Sequence, residues 1–311
     1  MTRLHRLVAA FVVTAAIACA PRTRTTSPTP TASAPPEVLL RLDDVGMNHS
    51  VNLAIAKVAE TGMPFSVSVL FACPWYQEAV EILKKNPHVT VGVHLALNSE
   101  WRGYRWGPVL GKAGVPSLVD SAGYFHPSVP AFLASKYDLG EVERELTAQM
   151  DRAIASGLKI AYVDPHMGSA LATPQLREVT ERVARKYGVG ISGWFGENYR
   201  SIWGVPVATK KSEFLNYVTT SKLDQPNLIE VHVAERTPEM EAIIDMNAPE
   251  QNAPGAGVVD HRSAELASML SPELAELVRT GKIRLINYQQ LIAKVGGPSK
   301  MRMPAPPPPR A

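Results

Sequence analysis

Residues 38–46 read VLLRLDDVG, a short apolar run that ends in two adjacent carboxylates. The apolar part, residues 38–42, is typical of a buried β-strand, and a segment of helical period follows it over residues 50–61. Gly62 then supplies a helix stop signal. A strand followed by a helix is the unit from which parallel sheets and barrels are built, so this stretch predicts an α/β fold.

The same alternation of strand and helix patterns continues along most of the chain. Further strand-like runs lie at residues 65–71, 89–95, 160–163, 189–194, 228–233 and 283–286, and helical patterns lie at residues 74–85, 139–156, 173–187 and 263–280. This order predicts βα units around a parallel sheet or barrel. Because α/β barrels of this length commonly fold as one unit, we expect a single domain at residues 37–295.

Residues 98–137 interrupt the alternation. They are rich in Gly, Pro, Trp and Tyr and show no steady period. A loop of this length inside a compact domain usually carries function. We therefore predict a long substrate-facing loop insertion in the α/β domain.

The N-terminus has the pattern of a secretory signal peptide. Residues 1–18 combine basic residues with an apolar stretch that is too short to span a membrane. Two modes of processing fit the sequence, either lipidation of Cys19 after a lipobox-like segment or ordinary cleavage after small residues. Both predict an exported protein, either periplasmic or a membrane-anchored lipoprotein, and membrane contact is expected only through a lipid on Cys19.

Two segments that flank the domain contain too much Pro and too many small residues to bury a core. Residues 19–36 form a Pro/Thr/Ser-rich linker, and residues 296–311 form a Pro-rich basic tail. Together with the signal peptide they hold seven basic residues and no acidic one, so the formal charge of +3 for the chain leaves −4 for residues 37–295. This balance gives no electrostatic reason to expect a nucleic-acid partner.

Four of the strand-like runs end in side chains that can do chemistry. In chain order these side chains are Asp43, Asp44, His94, Asp164, His166 and His232. In parallel α/β folds the carboxyl ends of the strands converge on the active site. Two imidazoles and one carboxylate can hold a divalent ion and leave positions open for water and substrate, as a hydrolytic site requires. Zn is the first expectation, with Mg, Mn, Co or Ni as alternatives.

Each of these residues also has a purely structural interpretation. A His at a strand end is commonly held by hydrogen bonds, and an Asp there commonly forms a turn or caps a helix. That account must be repeated for each of the four strand ends, whereas one metal site explains three of them and a proton donor beside it explains the fourth. The spacing by itself leaves both interpretations open.

The segments that carry these side chains resemble those of a known family, the YdjC-like carbohydrate deacetylases, also called the ChbG/HpnK family. Residues 42–46 (LDDVG) are similar to the family's DDFG-type segment, residues 92–97 (GVHLAL) to its GxHLxL segment, and residues 164–166 (DPH) to its DSH segment. Residues 262–266 and 281–283 resemble its closing helix and strand. The resemblance touches most of the folded part of the chain.

The resemblance implies a distorted (β/α) barrel that binds one divalent metal ion. Carried over onto this sequence, it makes Asp44, His94 and His166 the metal ligands and Asp43 the base. Two departures from the family pattern affect substrate choice and the proton donor. His166 runs into Met-Gly-Ser where family members usually have further His residues, and the late Cys-His-Pro-Gly segment is present only as Val-His-Val-Ala around His232.

The activity that the resemblance implies is removal of N-acetyl groups from an amino sugar or oligosaccharide by attack of a metal-bound water. Asp43 would take the proton of that water, and His232 is the best candidate to protonate the leaving amine, although it could equally be a strand-packing residue. Asp164 would orient a neighbouring imidazole or Asp43, or cap the turn. Two other functions fit the same barrel, a non-catalytic carbohydrate-binding lipoprotein and a metal-dependent esterase. A binding protein has no need of a base, so the presence of both aspartates favours an enzyme.

The long insertion contains the candidates for binding a carbohydrate substrate. Trp101, Tyr104 and Trp106 could stack on pyranose faces, Arg105 could reach hydroxyl or acidic groups, and His126 is the fifth candidate. In the alternative interpretation, these side chains only hold the insertion against the rim of the barrel.

Overall fold

A computed structural model describes residues 34–248 and 253–304. The chain divides into two units, Met1–Ala34 and Pro35–Ala311, and every element given below belongs to the second unit. The predicted signal peptide, Cys19 and most of the predicted linker lie outside the described residues, as do residues 305–311. The predictions for these segments stay predictions.

The second unit alternates strands and helices, as the sequence patterns predict. Its strands are β1 (Glu37–Val45), β2 (Ser66–Val69), β3 (Thr90–Leu95), β4 (Trp101–Arg102), β5 (Ile160–Pro165), β6 (Gly190–Ile191), β7 (Asn198–Ser201), β8 (Asn227–Val231), β9 (Ile244–Asp245) and β10 (Arg284–Ile286). Its α-helices are α1 (His49–Glu60), α2 (Tyr76–Lys85), α3 (Gly111–Gly114), α4 (Val129–Ala134), α5 (Leu139–Ala155), α6 (Pro174–Tyr187), α7 (Lys210–Thr219), α8 (Pro238–Glu241), α9 (Val258–Met269), α10 (Pro272–Arg279) and α11 (Tyr288–Lys294). Short 3-10 turns lie at Pro116–Leu118, His166–Leu171, Val207–Thr209 and Pro298–Lys300.

Eight of the strands form one sheet in the order β6-β5-β3-β2-β1-β8-β7, with β10 also paired to β1. All of these pairings are parallel. The central strand β1 has three partners. The start of β1 pairs with β10, the end of β1 pairs with β2, and residues 38–42 of β1 pair with β8. The sheet curls into a half-barrel that helices surround, so the predicted distorted (β/α) barrel is confirmed. Because the strands are parallel, their carboxyl ends meet at one end of this half-barrel.

Helix α1 shows why the first βα unit forms. The Asn48 side chain caps the helix by accepting a hydrogen bond from the Val51 amide, and Val51, Ile55 and Val58 lie on its buried face. Burial of each such aliphatic side chain is worth roughly 1.5–3 kcal/mol. Gly62 follows the helix at φ +70, a conformation that suits glycine and lets the chain turn towards β2.

The insertion at residues 98–137 packs against itself and against the barrel. It contains β4, α3 and α4, and β4 pairs antiparallel with β9, with Trp101 opposite Asp245. Phe125 and Phe132 are fully buried within it and belong to the main hydrophobic core. The insertion is therefore an ordered part of the domain.

The folded part of the chain extends beyond the predicted boundary at residue 295. Met301 is only 4% exposed and belongs to the main hydrophobic core. The Arg302 amide donates a hydrogen bond to the Trp194 carbonyl at 2.8 Å. These contacts correct the prediction that the tail begins at residue 296, because the first part of that segment still contributes an apolar side chain to the domain.

The helices within the described residues are all too short or too polar to cross a membrane.

Candidate active site

Asp43 and Asp44 line one cavity although they are consecutive residues of a strand. A regular strand would send neighbouring side chains to opposite faces. Here the pairing of β1 with β2 shifts its register between Leu42 and Val45, and Asp44 has φ +61. Asp is among the few residues besides Gly that tolerate this conformation. Gly46 follows at φ +84, where a Cβ would come within 2.9 Å of the backbone of α2.

The three predicted metal ligands come together. Asp44 Oδ1 lies 3.2 Å from His166 Nδ1 and 3.4 Å from His94 Nε2, and the two ring nitrogens are 3.1 Å apart. All three side chains are buried. Ligand atoms that surround a tetrahedral Zn²⁺ at about 2.1 Å are about 3.4 Å apart, so the chemistry and spacing of this set fit such an ion. The prediction that these side chains meet is confirmed.

Each imidazole has a carboxylate on its other nitrogen. Asp164 Oδ2 lies 2.8 Å from His94 Nδ1, and Glu100 Oε2 lies 2.9 Å from His166 Nε2. Such partners fix the ring orientation and the tautomer, which leaves the facing nitrogen free to bind a cation. Asp164 thus contacts a neighbouring imidazole, in agreement with the first role suggested for it. Glu100 is a partner that the sequence analysis missed.

Burial and neighbouring charges together set the protonation of this cluster. Burial raises the pKa of Asp44, but Arg262 and the two imidazoles oppose this effect and hold the pKa well below its usual range. Burial lowers the pKa values of His94 and His166, yet the surrounding carboxylates bring them to about 9 and about 10. Protons and a divalent cation therefore compete for the same ring nitrogens.

Asp43 is held by a buried arginine of its own strand. Arg41 donates from Nε to Asp43 Oδ1 at 2.7 Å and from Nη2 to Oδ2 at 2.6 Å. The same guanidinium contacts Asp164 at 2.6 Å and Glu230 at 3.1 Å. Burial raises the pKa of Asp43 and Asp164 adds to the increase, while Arg41 opposes it, and the resulting pKa is higher than usual. A fixed carboxylate with a raised pKa is suited to accept a proton.

Arg262, on α9, contacts the aspartate of the cluster. Its Nη2 donates to Asp44 Oδ2 at 2.5 Å, so that Oδ1 is the oxygen on the imidazole side. The guanidinium packs on the rings of Trp101 and Trp203, at 5.5 and 5.4 Å from their centroids. The sequence analysis included Arg262 only in the family resemblance, and its contact with Asp44 is a finding of the structure.

His232 lies just past the end of β8 and lines the same cavity. Its Nδ1 is 3.9 Å from Glu230 Oε1, and its ring centroid is 5.1 Å from that of Trp203. Burial lowers the pKa of His232, and the Glu230 charge opposes this effect. A lowered pKa leaves less of the imidazole protonated near neutral pH, so the case for His232 as a proton donor rests on its position in the cavity.

The cavity has a volume of about 460 Å³, within the range of small-molecule sites. Its aromatic wall includes Trp101, Tyr199 and Trp203. Tyr199 is about half exposed, and its hydroxyl donates to Glu230 at 2.6 Å. The sequence analysis missed Tyr199 and Trp203, because they lie in and after β7, a strand without an apolar pattern.

The other predicted substrate contacts are placed differently. Of the five candidates, only Trp101 belongs to the cavity wall that the described residues form. The Tyr104 hydroxyl donates to the Met47 carbonyl, and Arg105 forms an ion pair with Asp120 at 2.7 Å. Tyr104 thus holds the insertion against the barrel, while the ion pair of Arg105 closes the insertion on itself.

Trp106 and His126 also face the protein. The Trp106 ring packs edge-on to His166, with ring centroids 5.6 Å apart, and the His126 carbonyl accepts a hydrogen bond from the Ser99 amide at 2.9 Å. None of Tyr104, Arg105, Trp106 and His126 lines the cavity that the described residues form, and their predicted contact with substrate stays a prediction. The side-chain contacts of Tyr104, Arg105 and Trp106 agree with the alternative, in which these residues hold the insertion in place.

Comparisons with known proteins agree with this geometry. A family model described as YdjC-like protein matches residues 37–280. A carbohydrate deacetylase from Brevibacillus brevis is 26% identical over 266 residues, which cover 82% of this chain and 99% of that relative. A carbohydrate deacetylase from Listeria welshimeri is 31% identical over 157 residues, which cover 50% of this chain and 60% of that relative.

A solved structure has the same fold. It is the crystal structure of an Enterococcus faecalis protein that is provisionally named a cellobiose-phosphate cleavage protein. The two structures align with a TM-score of 0.64 and 24% sequence identity, over 83% of this chain and 99% of that one.

Proposed function

Since the chain belongs to the YdjC-like protein family, we propose that it is a metal-dependent carbohydrate deacetylase. It would remove N-acetyl groups from an amino sugar, such as a chitooligosaccharide, a peptidoglycan fragment or another glycoconjugate. The observation that carries the proposal is the cluster of Asp44, His94 and His166, which lines one cavity together with Asp43 and His232. The names of the relatives support the choice of acetyl groups and sugars.

Asp44, His94 and His166 would hold one divalent ion, Zn in the first place, with Mg, Mn, Co or Ni as alternatives. When bound, such an ion lowers the pKa of a water molecule and polarises the acetyl carbonyl. Three protein ligands leave a position open for this chemistry. Arg262 keeps Asp44 ionised and directs one carboxylate oxygen towards the imidazoles, whose carboxylate partners fix the orientation of both rings.

Proton transfer is assigned to Asp43 and His232. Arg41 occupies two of the roughly four lone-pair positions of the Asp43 carboxylate, and the others can accept a proton from the water that attacks the acetyl carbon. As the bond from that carbon to nitrogen breaks, His232 donates a proton to the nitrogen, and acetate and a free amine result. General acid–base catalysis of this kind contributes about 10²–10⁴-fold in rate.

The test of this proposal uses the full chain. The metal content of the purified protein is measured, and acetate release is assayed with N-acetylated and O-acetylated sugars in the presence of each candidate ion. Release from N-acetylated sugars supports the proposal. Release from O-acetylated sugars alone would indicate an esterase, and tight sugar binding without release would indicate a carbohydrate-binding protein.

Replacement of the proton donor is expected to affect amides and activated esters differently. His232→Asn should lower acetate release from an N-acetylated sugar by about 10²-fold or more, because an amine leaves only when protonated. Hydrolysis of 4-nitrophenyl acetate should change little, since nitrophenolate leaves without a proton. His261→Asn is the control, because His261 also packs on Trp203 but does not belong to the described cavity wall. Equal losses on both substrates would contradict the assignment of His232.

Removal of the carboxylate partner of His166 is expected to weaken metal binding. Glu100→Gln should raise the Kd of the metal by about 10–100-fold, because the neutral amide supports the basicity of the ring less well. Competition with a chelator measures this Kd. Asp120→Asn removes a carboxylate that pairs with Arg105 in the insertion and should leave the Kd unchanged. An unchanged Kd in Glu100→Gln would mean that this contact does not support the site.

Export is a separate part of the proposal, and it rests on the sequence alone. Residues 1–18 have the pattern of a signal peptide, so we infer a periplasmic protein or a lipoprotein. A lipid on Cys19 would be its means of membrane attachment.

A further inference from the structure

A buried ion pair lies next to the cavity but outside the wall that the described residues form. Lys210 Nζ is 2.7 Å from Glu265 Oε1, and both side chains are fully buried. Lys210 also donates to the carbonyls of Ile202 at 2.5 Å and Trp203 at 2.9 Å, so its three ammonium hydrogens all have acceptors. The pair therefore joins the start of α7, the segment after β7 and the middle of α9.

The second oxygen of Glu265 extends this connection to the active site. Glu265 Oε2 accepts a hydrogen bond of 2.6 Å from the backbone amide of His232. Strand β8 ends at Val231, so this amide lies just beyond the residues of the strand. An unpaired buried amide is unfavourable, so the Glu265 contact restrains the backbone of His232.

The segments joined by the pair also carry the other contacts of His232. The Trp203 ring packs on the His232 ring, and the Trp203 carbonyl is one of the acceptors of Lys210. Arg262 lies one turn before Glu265 on α9. Its side chain donates to Asp44, and its backbone carbonyl accepts a hydrogen bond from the amide of Ala234, two residues after His232. Lys210 and Glu265 thus fix the backbone of His232 relative to the ring on which it packs.

Stability alone is a weak explanation for such a pair. Removing two charges from water is unfavourable, and apolar residues of similar volume often serve a core equally well or better. A proton donor, by contrast, must lie within hydrogen-bond reach of the atom that it protonates, so a small displacement of its backbone lowers the rate. The pair lies where it can prevent that displacement.

We propose that Lys210 and Glu265 are positioning residues that hold His232 in place to protonate the leaving amine. This inference rests on the proposed function. Neither residue belongs to the described cavity wall, and both act through the backbone and the ring contact of His232.

The test compares two substrates that differ in their need for a proton donor. Lys210→Met removes the cation, and Glu265→Gln keeps the size of the side chain but cannot accept hydrogen bonds from both Lys210 and the His232 amide with its single carbonyl oxygen. Each variant of the full chain is expected to lose at least about tenfold in kcat with an N-acetylated sugar and less than about threefold with 4-nitrophenyl acetate. Metal content and the thermal unfolding curve are measured in parallel.

Lys211→Met is the matched control. Lys211 is the next residue along α7 and forms an exposed ion pair with Glu273 at 2.9 Å, so its loss should change neither activity. If Lys210→Met does not fold, the isosteric Glu265→Gln variant decides the matter. Equal losses on both substrates, or no loss on the amide, would overturn the positioning role. A wild-type chain that releases no acetate from any N-acetylated sugar would instead overturn the proposed function.

Discussion

Asp44→Ala is expected to lose metal binding and acetate release together, with a fall in activity of at least about 10³-fold, because a bound ion supplies several kcal/mol of transition-state stabilisation. Asp44 Oδ1 is the oxygen that faces both imidazoles, so the substitution removes one of the three ligands. It also leaves the buried guanidinium of Arg262 without its carboxylate. Asp44→Asn should give the same loss without backbone strain, because Asn tolerates the left-handed conformation seen at this position. Metal content by elemental analysis and acetate release together measure the effect.

Asp43→Asn provides the matched comparison at the neighbouring position. Asp43 is bound by Arg41, whereas Asp44 is bound by Arg262, and Asp43 does not belong to the predicted ligand set of Asp44, His94 and His166. This variant should keep its metal and lose about 10²–10⁴-fold in kcat, the range for loss of a general base. If Asp43→Asn hydrolysed the substrate as fast as wild type, Asp43 would not be the base. If Asp44→Asn kept its metal, the ligand assignment would be wrong.

The convergence of the site could be predicted from the sequence because it follows from the architecture. His94 and His166 each follow an apolar run, and the carboxyl ends of parallel strands meet whatever chain connects them. The local detail at Asp44 could not be predicted, since nothing in residues 38–46 distinguishes a regular strand end from a bulge with a left-handed residue. That detail decides whether both aspartates reach the cavity.

Several partners of the site could not be predicted, because their contacts lie far apart in the sequence. Arg41 interrupts an apolar run. Two of its carboxylate partners lie on other strands, where Asp164 is more than 120 positions away along the chain and Glu230 is further still. Glu100 lies in an aperiodic insertion. Helix α7 buries Lys210 four residues before Phe214, and a charged residue on the buried face conceals the apolar period that would have predicted the helix.

Arg41→Met is expected to destabilise the fold and to reduce activity at the same time. The guanidinium contacts three carboxylates, Asp43, Asp164 and Glu230, and is itself only 5% exposed. Loss of one partner from a buried ion pair is unfavourable by about 3–5 kcal/mol, which corresponds to a decrease in Tm on the order of 10 °C for a domain of this size. Thermal unfolding at pH 7 measures this decrease. Arg182→Met is the control, because Arg182 pairs with Glu143 at the surface and should leave Tm nearly unchanged.

The pH dependence of this loss distinguishes a charge effect from a loss of packing. In the wild type, burial raises the pKa of Asp164, but Arg41 and His94 outweigh burial and lower it. Its contribution to stability is therefore present above the ordinary pKa of the carboxyl and is lost as the pH falls through the folded-state value. Without Arg41, burial dominates and the pKa values of Asp164 and Asp43 should rise, so that the variant regains stability when these carboxyls are protonated. The difference in Tm between wild type and Arg41→Met should then narrow as the pH is lowered from 7 towards 4. A difference that stays constant over this range would show that the side chain of Arg41 acts through its volume and not through its charge.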